Sequence, residues 1–430
     1  MLGVPRGQAW FRRVALVLGG TLIVMVVWSV IQEGAVEGLR TDWTAFDNAA
    51  SRLLAGEDIY RPWDGEVETL PYLYPPFALW LTLPLGLVGF TGSWLIAAGS
   101  ALAAFLGGLA LLRRVAHADL ESVADETARK RRIAFTTGIF GACTTGTAFN
   151  SILIGQYSGL YVLAVGAALF LFVADRPKLA GLALALLILK PNIAVAVVVV
   201  LLWSRSWKVL AGFAIGTVGA LASTIPLGLG LWSGFAANLR QIADLQAMGI
   251  VPTNKMITFS SMVQEITGTQ DTSPLAIGSW LVFSAVVGVA TLIVWSPKQL
   301  AASPQRAFAV WAIFVIVANP RMFFYDGTLV IFGVLGLWSL PHGVLSHRSR
   351  RLLPVVAVWL WVASWGAAIT PLNLFVAPLG ATLIVVVAFE TWSKAQESVI
   401  STPESAAVAV LGASSGASEG HYGEPPAAAA

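Results

Sequence analysis

Residues 93–114 read SWLIAAGSALAAFLGGLALLRR, an uncharged run of twenty residues closed by Arg113 and Arg114. Coiled as a helix, a run of about 20 residues matches the roughly 30 Å hydrocarbon thickness of a bilayer. The arginines set its direction, because Lys and Arg gather on the cytoplasmic side of membrane helices. Arg129, Lys130, Arg131 and Arg132 reinforce them, so the stretch 113–132 is read as cytoplasmic. The basic N-terminus (Arg6, Arg12, Arg13) goes to the same side, ahead of a first apolar helix over 14–31. Between Ile31 and Arg113 the chain then crosses only once, by 93–112. The apolar stretch 76–90 is therefore expected as an outer juxtamembrane helix.

The rest of the chain follows this pattern. Of its residues 57% are hydrophobic and 11% charged, and the mean hydropathy is +0.76. Soluble domains run at about a quarter charged, so the class is an all-α, polytopic transmembrane helical bundle. Further crossing segments are read at 133–150, 158–174, 209–230, 275–296, 307–319, 324–340, 352–370 and 374–392, for about 10–12 membrane segments in all. The stretch 179–203 is split by Lys190-Pro191 into halves too short to cross comfortably. Arg176 and Lys178 before it, and Arg205 and Lys208 after it, put both ends inside. It is either a re-entrant hairpin or two short buried helices, with Lys190 at the outer turn.

On this topology Arg40, Arg52, Arg61, Arg240, Lys255 and Arg321 lie outside, Lys190 is left over, and the other Lys and Arg residues are inside. The expected location is the cell inner (plasma) membrane, crossed many times, with both termini cytoplasmic. The N-terminus has the layout of a signal sequence, but Trp28–Gln32 is a poor cleavage site, so the first helix is read as uncleaved. Residues 1–392 are expected to form one integral membrane domain, with outer loops over 32–92 and 231–274. From 393 to 430 the Ala-, Ser-, Gly-, Pro- and Glu-rich sequence predicts a disordered cytoplasmic tail. The one cysteine, Cys143, has no disulfide partner in the chain and sits in no metal-binding pattern.

Against this apolar background the first outer loop is chemically dense. It carries Asp42-Trp43 and Phe46-Asp47 and ends in Tyr72-Leu73-Tyr74-Pro75-Pro76-Phe77. A carboxylate at a membrane boundary is a functional candidate, and one poised near neutral pH can take the proton of an acceptor hydroxyl. Asp42 and Asp47 are both candidates; equally, Thr41 and Asp42 suit the N-cap of a following helix. Tyr74 fits the border of a lipid groove or an ordinary aromatic belt. Lys190, set among Leu, Ile and Pro, is costly in lipid unless it meets an anion, a water-filled cavity or an internal partner. Arg321 offers a planar fork for phosphate, or an ion pair with Asp326 that only stabilises the turn.

Gln156, Asn254, Lys255, Tyr325 and Asp326 project to the same side as candidate contacts for sugar or lipid. No DxD-like metal cluster, GxGxxG or P-loop occurs, so no metal or nucleotide cofactor is expected, and no nucleic-acid partner.

These stretches, in this order, resemble the GT-C superfamily of integral membrane glycosyltransferases, and within it glycosyltransferase family 87. The resemblance rests on Asp42-Trp43-Thr44-Ala45-Phe46, Leu53-Leu54-Ala55-Gly56 with Ile59-Tyr60, and Tyr74-Pro75-Pro76-Phe77. It continues through Gly155-Gln156, Ala180-Gly181, Leu189-Lys190-Pro191 and Asn319-Pro320-Arg321 with Tyr325-Asp326. It implies a polyprenyl-phosphate donor bearing mannose or a related hexose, and a cell-envelope glycolipid or glycan acceptor. It further implies inverting transfer on the extracytoplasmic face, with an acidic general base in the first outer loop. Asp42 occupies that position, with Asp47 the fallback, and Lys190 and Arg321 would stabilise the departing phosphate. Arg321-Met322-Phe323-Phe324-Tyr325-Asp326 differs from the Ser-, Trp- and His-rich turn of mycobacterial relatives. The alternative is a transporter or flippase of a lipid-linked sugar, which predicts charges strung through several helices and usually an internal repeat.

Overall fold

A computed structural model describes residues 41–61, 71–118, 126–247, 256–269, 273–341, 343–366 and 376–400. The predicted first span over 14–31 and the tail from 401 to 430 lie outside these residues. Among the described residues the regular elements are all helical, with one isolated antiparallel bridge between Met256 and Phe323.

Helix α1 (Thr41–Leu54) is followed by three short helical pieces, Pro76–Ala78, Leu79–Thr82 and Leu85–Leu87, and then by the long α2 (Gly89–Ala118). Next come α3 (Glu126–Cys143), α4 (Gly146–Leu153), α5 (Ser158–Val173), α6 (Pro177–Leu184), α7 (Pro191–Trp203) and α8 (Trp207–Ala222). Two further helices, α9 (Leu231–Ala247) and α10 (Phe259–Thr267), lead to α11 (Pro274–Val294) and α12 (Pro297–Ala302). The last four are α13 (Pro304–Val317), α14 (Thr328–Trp338), α15 (His347–Gly366) and α16 (Val376–Ile400).

Among the described residues four helices are long and apolar enough to cross a membrane: α2, α8 with its extension to Leu227, α11 and α16. The pair α4 and α5, bent by 115°, makes a fifth if counted as one span. This is the all-α polytopic bundle expected. The predicted crossings 307–319 and 324–340 are shorter apolar helices, and their surroundings explain why. Nearly every residue of α13 and α14 is buried, so these helices meet protein on all sides. On α11, by contrast, Leu281, Val282, Val286 and Val289 are exposed, as a lipid-facing stripe requires. The α13–α14 hairpin forms the centre of the bundle; α5, α11 and α16 pack around α13, and α2 runs along α5.

Several sequence expectations change. The stretch 76–90 is a string of short pieces in place of one juxtamembrane helix, broken near Pro84 and again at Gly89, whose φ is +69°. The predicted span 133–150 divides at Thr144-Thr145, where Thr145 Oγ1 accepts from the Ala148 N–H at 3.2 Å and starts α4. The outer segments expected as loops, 32–92 and 231–274, carry α1, α9 and α10. Helix α16 runs on through Ser393 to Ile400, into the stretch expected to be disordered.

The ambiguous stretch 179–203 consists of two short helices folded back at Lys190. A 3-10 turn (Ala185–Leu189) finishes the first arm and Pro191 starts the second, leaving Lys190 extended at φ −126°, ψ 92°. The base of this hairpin closes where α6 meets α8. A Cβ at Gly181 would lie 1.9 Å from the Val209 carbonyl oxygen, and one at Gly212 1.9 Å from that of Lys178. Only glycine permits so close a backbone approach.

Candidate active site

Helix continuity sorts the polar residues into two ends. Helix α2 joins Ser93 to Arg113 and Arg114, and α5 joins Ser158 to the Asp175-Arg176 turn. The hairpin joins Lys190 at its tip to Lys178 and Arg205 at its base, and α13 joins Arg306 to Asn319. The end opposite the arginines holds a set of buried polar side chains: Gln156, Ser158, Thr258, Asn319, Asp326 and Thr328. The 14 residues of α13 and the 16 of α5 rise only ~21–24 Å, several ångströms short of a ~30 Å hydrocarbon core.

Asp42 reaches this end from α1. Trp43, Phe46, Ala49 and Ala50 recur at helical spacing and bury one face of that helix. Asp42 lies in its first turn, where the helix dipole favours a carboxylate. Its Oδ2 accepts a hydrogen bond from Gln156 Nε2, and Gln156 Oε1 in turn accepts from the Tyr74 hydroxyl at 2.5 Å. Gln156 is delivered by a glycine turn, for Gly155 has φ +73° and a Cβ there would lie 2.6 Å from Trp43 Cε3. Trp43 is held in turn by its Nε1–H, which donates to Ser93 Oγ at 2.9 Å.

Asp47 is anchored elsewhere. Its Oδ1 accepts from Ser93 Oγ at 3.0 Å, which ties α1 to the start of α2. Burial raises the Asp47 pKa, and the Ser93 hydrogen bond opposes that rise.

A second group forms where the hairpin tip meets the α13–α14 turn. Lys190 Nζ is paired with Asp326 Oδ2, the lysine side chain 17% and the aspartate 1% exposed. Of the partners the sequence left open for Lys190, this is the internal one. The Asp326 carboxylate also accepts from Ser158 Oγ at 3.4 Å and from the Phe323 N–H at 3.1 Å. Tyr325 places its ring 5.5 Å from Lys190 Nζ.

Asn319 Oδ1 accepts from Asn192 Nδ2 at 3.0 Å and from the Arg321 N–H at 3.1 Å, fastening the hairpin tip to the turn that carries Arg321. A strap over 256–258 braces the same turn. The Ile257 N–H donates to the Met322 carbonyl at 2.9 Å, and Thr258 Oγ1 to that of Pro320 at 3.2 Å. Asn254 and Lys255 precede this strap and lie outside the described residues.

The two groups share one electrostatic environment. Residues 156–158 join them: Gln156 bonds Asp42, the Tyr157 ring packs against that of Tyr74 at 5.0 Å between centroids, and Ser158 Oγ donates to Asp326 at 3.4 Å. Burial first, and then the negative charge of Asp326, pushes the Tyr74 hydroxyl well above its ordinary range. Asp42, Tyr74, Gln156, Lys190, Tyr325 and Asp326 are thus brought together, with Arg321 in the adjoining turn.

Sequence reasoning overlooked Asn192 and Ser158. Asn192 directly follows Lys190-Pro191 and Ser158 comes two residues after Gln156, each the last polar residue before a long apolar run. No group of three or more His, Cys, Asp or Glu suited to a metal ion occurs among the described residues.

A carboxylate oriented by an amide is able to accept a proton, and the cations Lys190 and Arg321 near it are able to meet a developing negative charge. No curated protein and no solved structure is matched by this chain. The sequence model of glycosyltransferase family 87 matches residues 72–320, more than half of the chain. That span takes in Tyr74, Gln156 and Lys190, whereas Asp42, Arg321, Tyr325 and Asp326 lie beyond its limits. With its membrane-length apolar helices and this match, the chain belongs to glycosyltransferase family 87 and is a membrane glycosyltransferase.

Proposed function

We propose that the protein transfers a hexose, in the first instance mannose, from a polyprenyl-phosphate-linked donor to a cell-envelope glycolipid or glycan. The acceptor oxygen attacks the anomeric carbon while its proton passes to Asp42. The bond from that carbon to the phosphate oxygen breaks, and polyprenyl phosphate leaves with the electron pair. A single displacement of this kind inverts the anomeric centre.

The electrostatics divide the work between two cations. The donor phosphate carries one negative charge, and the leaving polyprenyl phosphate gains a second. Lys190, already paired with Asp326, and Arg321, with its planar fork of N–H donors, are the two side chains placed to meet the added charge. Tyr74 and Tyr325 border the sugar and the lipid phosphate. Asp47 serves the α1–α2 junction.

The observation that carries this reading is the joint placement of Asp42 and the Lys190–Asp326 pair in one polar cluster of a family 87 chain. The arginine-rich opposite end supports an extracytoplasmic site in the plasma membrane, with both termini cytoplasmic. The test uses purified protein in sealed proteoliposomes, with polyprenyl-phosphate-mannose and a membrane lipid extract as acceptor. Transfer is expected from the polyprenyl donor presented on the side of the cluster, and none from a nucleotide sugar. Transfer from the nucleotide sugar, or from no polyprenyl-phosphate hexose, would reject the proposal.

A further inference from the structure

The side-chain amide of Gln156 is engaged at both ends. Its Nε2 donates to Asp42 Oδ2 and its Oε1 accepts from Tyr74 Oη at 2.5 Å. Gln156 is 5% exposed, which leaves little amide surface for a sugar hydroxyl. Its backbone is equally constrained. The Gln156 N–H donates to the Ser151 carbonyl at 2.9 Å, and the preceding Gly155 is seated against the Trp43 indole.

The direction of this chain of bonds follows from the chemistry of its ends. Burial keeps the Tyr74 hydroxyl protonated across the assay range, so its O–H is available to donate, and the amide oxygen is the Gln156 atom able to accept it. An ionised Asp42 has no proton to give, so the amide atom facing it must donate. One orientation of the Gln156 amide satisfies both ends. The opposite flip would set the amide oxygen against the Asp42 carboxylate. The amide is a fixed dipole with its positive end toward Asp42, and such a donor favours the charged carboxylate.

We infer that Gln156 is a positioning residue for Asp42 and not a sugar ligand: it holds the carboxylate ionised and oriented toward the acceptor hydroxyl, with Tyr74 locking the amide from behind. This rests on the reading of Asp42 as the general base.

The test is the pH profile and the kcat-against-KM split in the polyprenyl-phosphate-mannose assay. Gln156→Glu puts a second carboxylate against Asp42, and like charges disfavour ionisation. The acid limb of kcat/KM is expected to move up by about one pH unit or more, with donor KM held within about twofold. Gln156→Ala is expected to lower kcat about tenfold or more at unchanged donor KM, as loss of orientation does. Tyr74→Phe should move the same quantities in the same direction by less.

A raised donor KM with an unmoved acid limb would overturn the assignment and mark Gln156 as a substrate contact. If the glutamate variant fails gel filtration, the alanine variant's kcat-against-KM split decides alone. Failure of the underlying reading looks different. An active Asp42→Asn enzyme removes Asp42 as the base, whereas an inactive one combined with an unmoved Gln156→Glu profile removes only the role of Gln156.

Discussion

Lys190 and Asp326 meet across 136 residues of chain, one at the tip of a helical hairpin and the other in the turn between two buried helices. Removing the lysine strands a carboxylate that is 1% exposed, a loss of about 3–5 kcal/mol for a buried pair. Removing the aspartate costs less, because Lys190 at 17% exposure still reaches water. Lys190→Ala should therefore lower the melting temperature of the detergent-purified protein more than Asp326→Asn does. Lys190→Met combined with Asp326→Asn should recover much of the loss while remaining inactive. Equal melting of Lys190→Ala and wild type would show that the pair contributes nothing to the fold.

Gly155→Ala tests how the Asp42 carboxylate is held. The left-handed backbone at φ +73° costs an L-residue about 1–2 kcal/mol, and the new Cβ would also press on Trp43 at 2.6 Å. The variant should lose at least about 2 kcal/mol of stability, by those terms together, and a large part of its transfer rate. Trp43→Ala in the same chain offers no rescue, because it empties the space of a buried indole at about 3–5 kcal/mol, but the two losses should sum to less than their separate values, since both act on one contact. A Gly155→Ala protein that melts and turns over like wild type would contradict the close packing of these two residues.

Asp47 gives a pH-dependent prediction of opposite character to that of Asp42. Burial raises its folded-state pKa above the ordinary 3.8 despite the Ser93 hydrogen bond, so the folded protein binds the proton more tightly than the unfolded chain. The stability this supplies is complete below the unfolded value and is lost as the pH rises through the folded one. At neutral pH the ionised side chain is a liability. Asp47→Asn keeps an oxygen to accept from Ser93 and removes the charge. It should melt at least as high as wild type at pH 7, fall behind toward pH 4, and retain transfer. A neutral-pH melting point well below wild type would contradict the burial penalty, and loss of transfer by a folded variant would place Asp47 in the chemistry.

Much of this was legible in the sequence, for definite reasons. Charge-bracketed apolar runs such as 93–112 correspond to helix, and the same charges gathered Asp42, Tyr74, Gln156 and Asp326 at one end. Hydrophobicity does not say what an apolar helix touches, so α13 and α14 read as crossings although protein surrounds them. A single hydroxyl cap, Thr145, breaks a run that hydropathy reads as continuous. The pairing of Lys190 with Asp326 was also out of reach, since Arg321 stands nearer in the chain and only the folded hairpin brings Lys190 across. The same holds for Asn192 with Asn319 and for Ser93 with Asp47, contacts between segments far apart in the chain.

The most direct test is mannosyl transfer from polyprenyl-phosphate-mannose by Asp42→Asn beside the wild-type enzyme. The asparagine keeps the size of the side chain and an oxygen facing Gln156, so the variant should fold and bind donor as before. Having lost the proton acceptor, it should transfer sugar at least about a hundredfold more slowly across the pH range. A folded Asp42→Asn enzyme that transfers mannose at the wild-type rate would contradict the account at its centre.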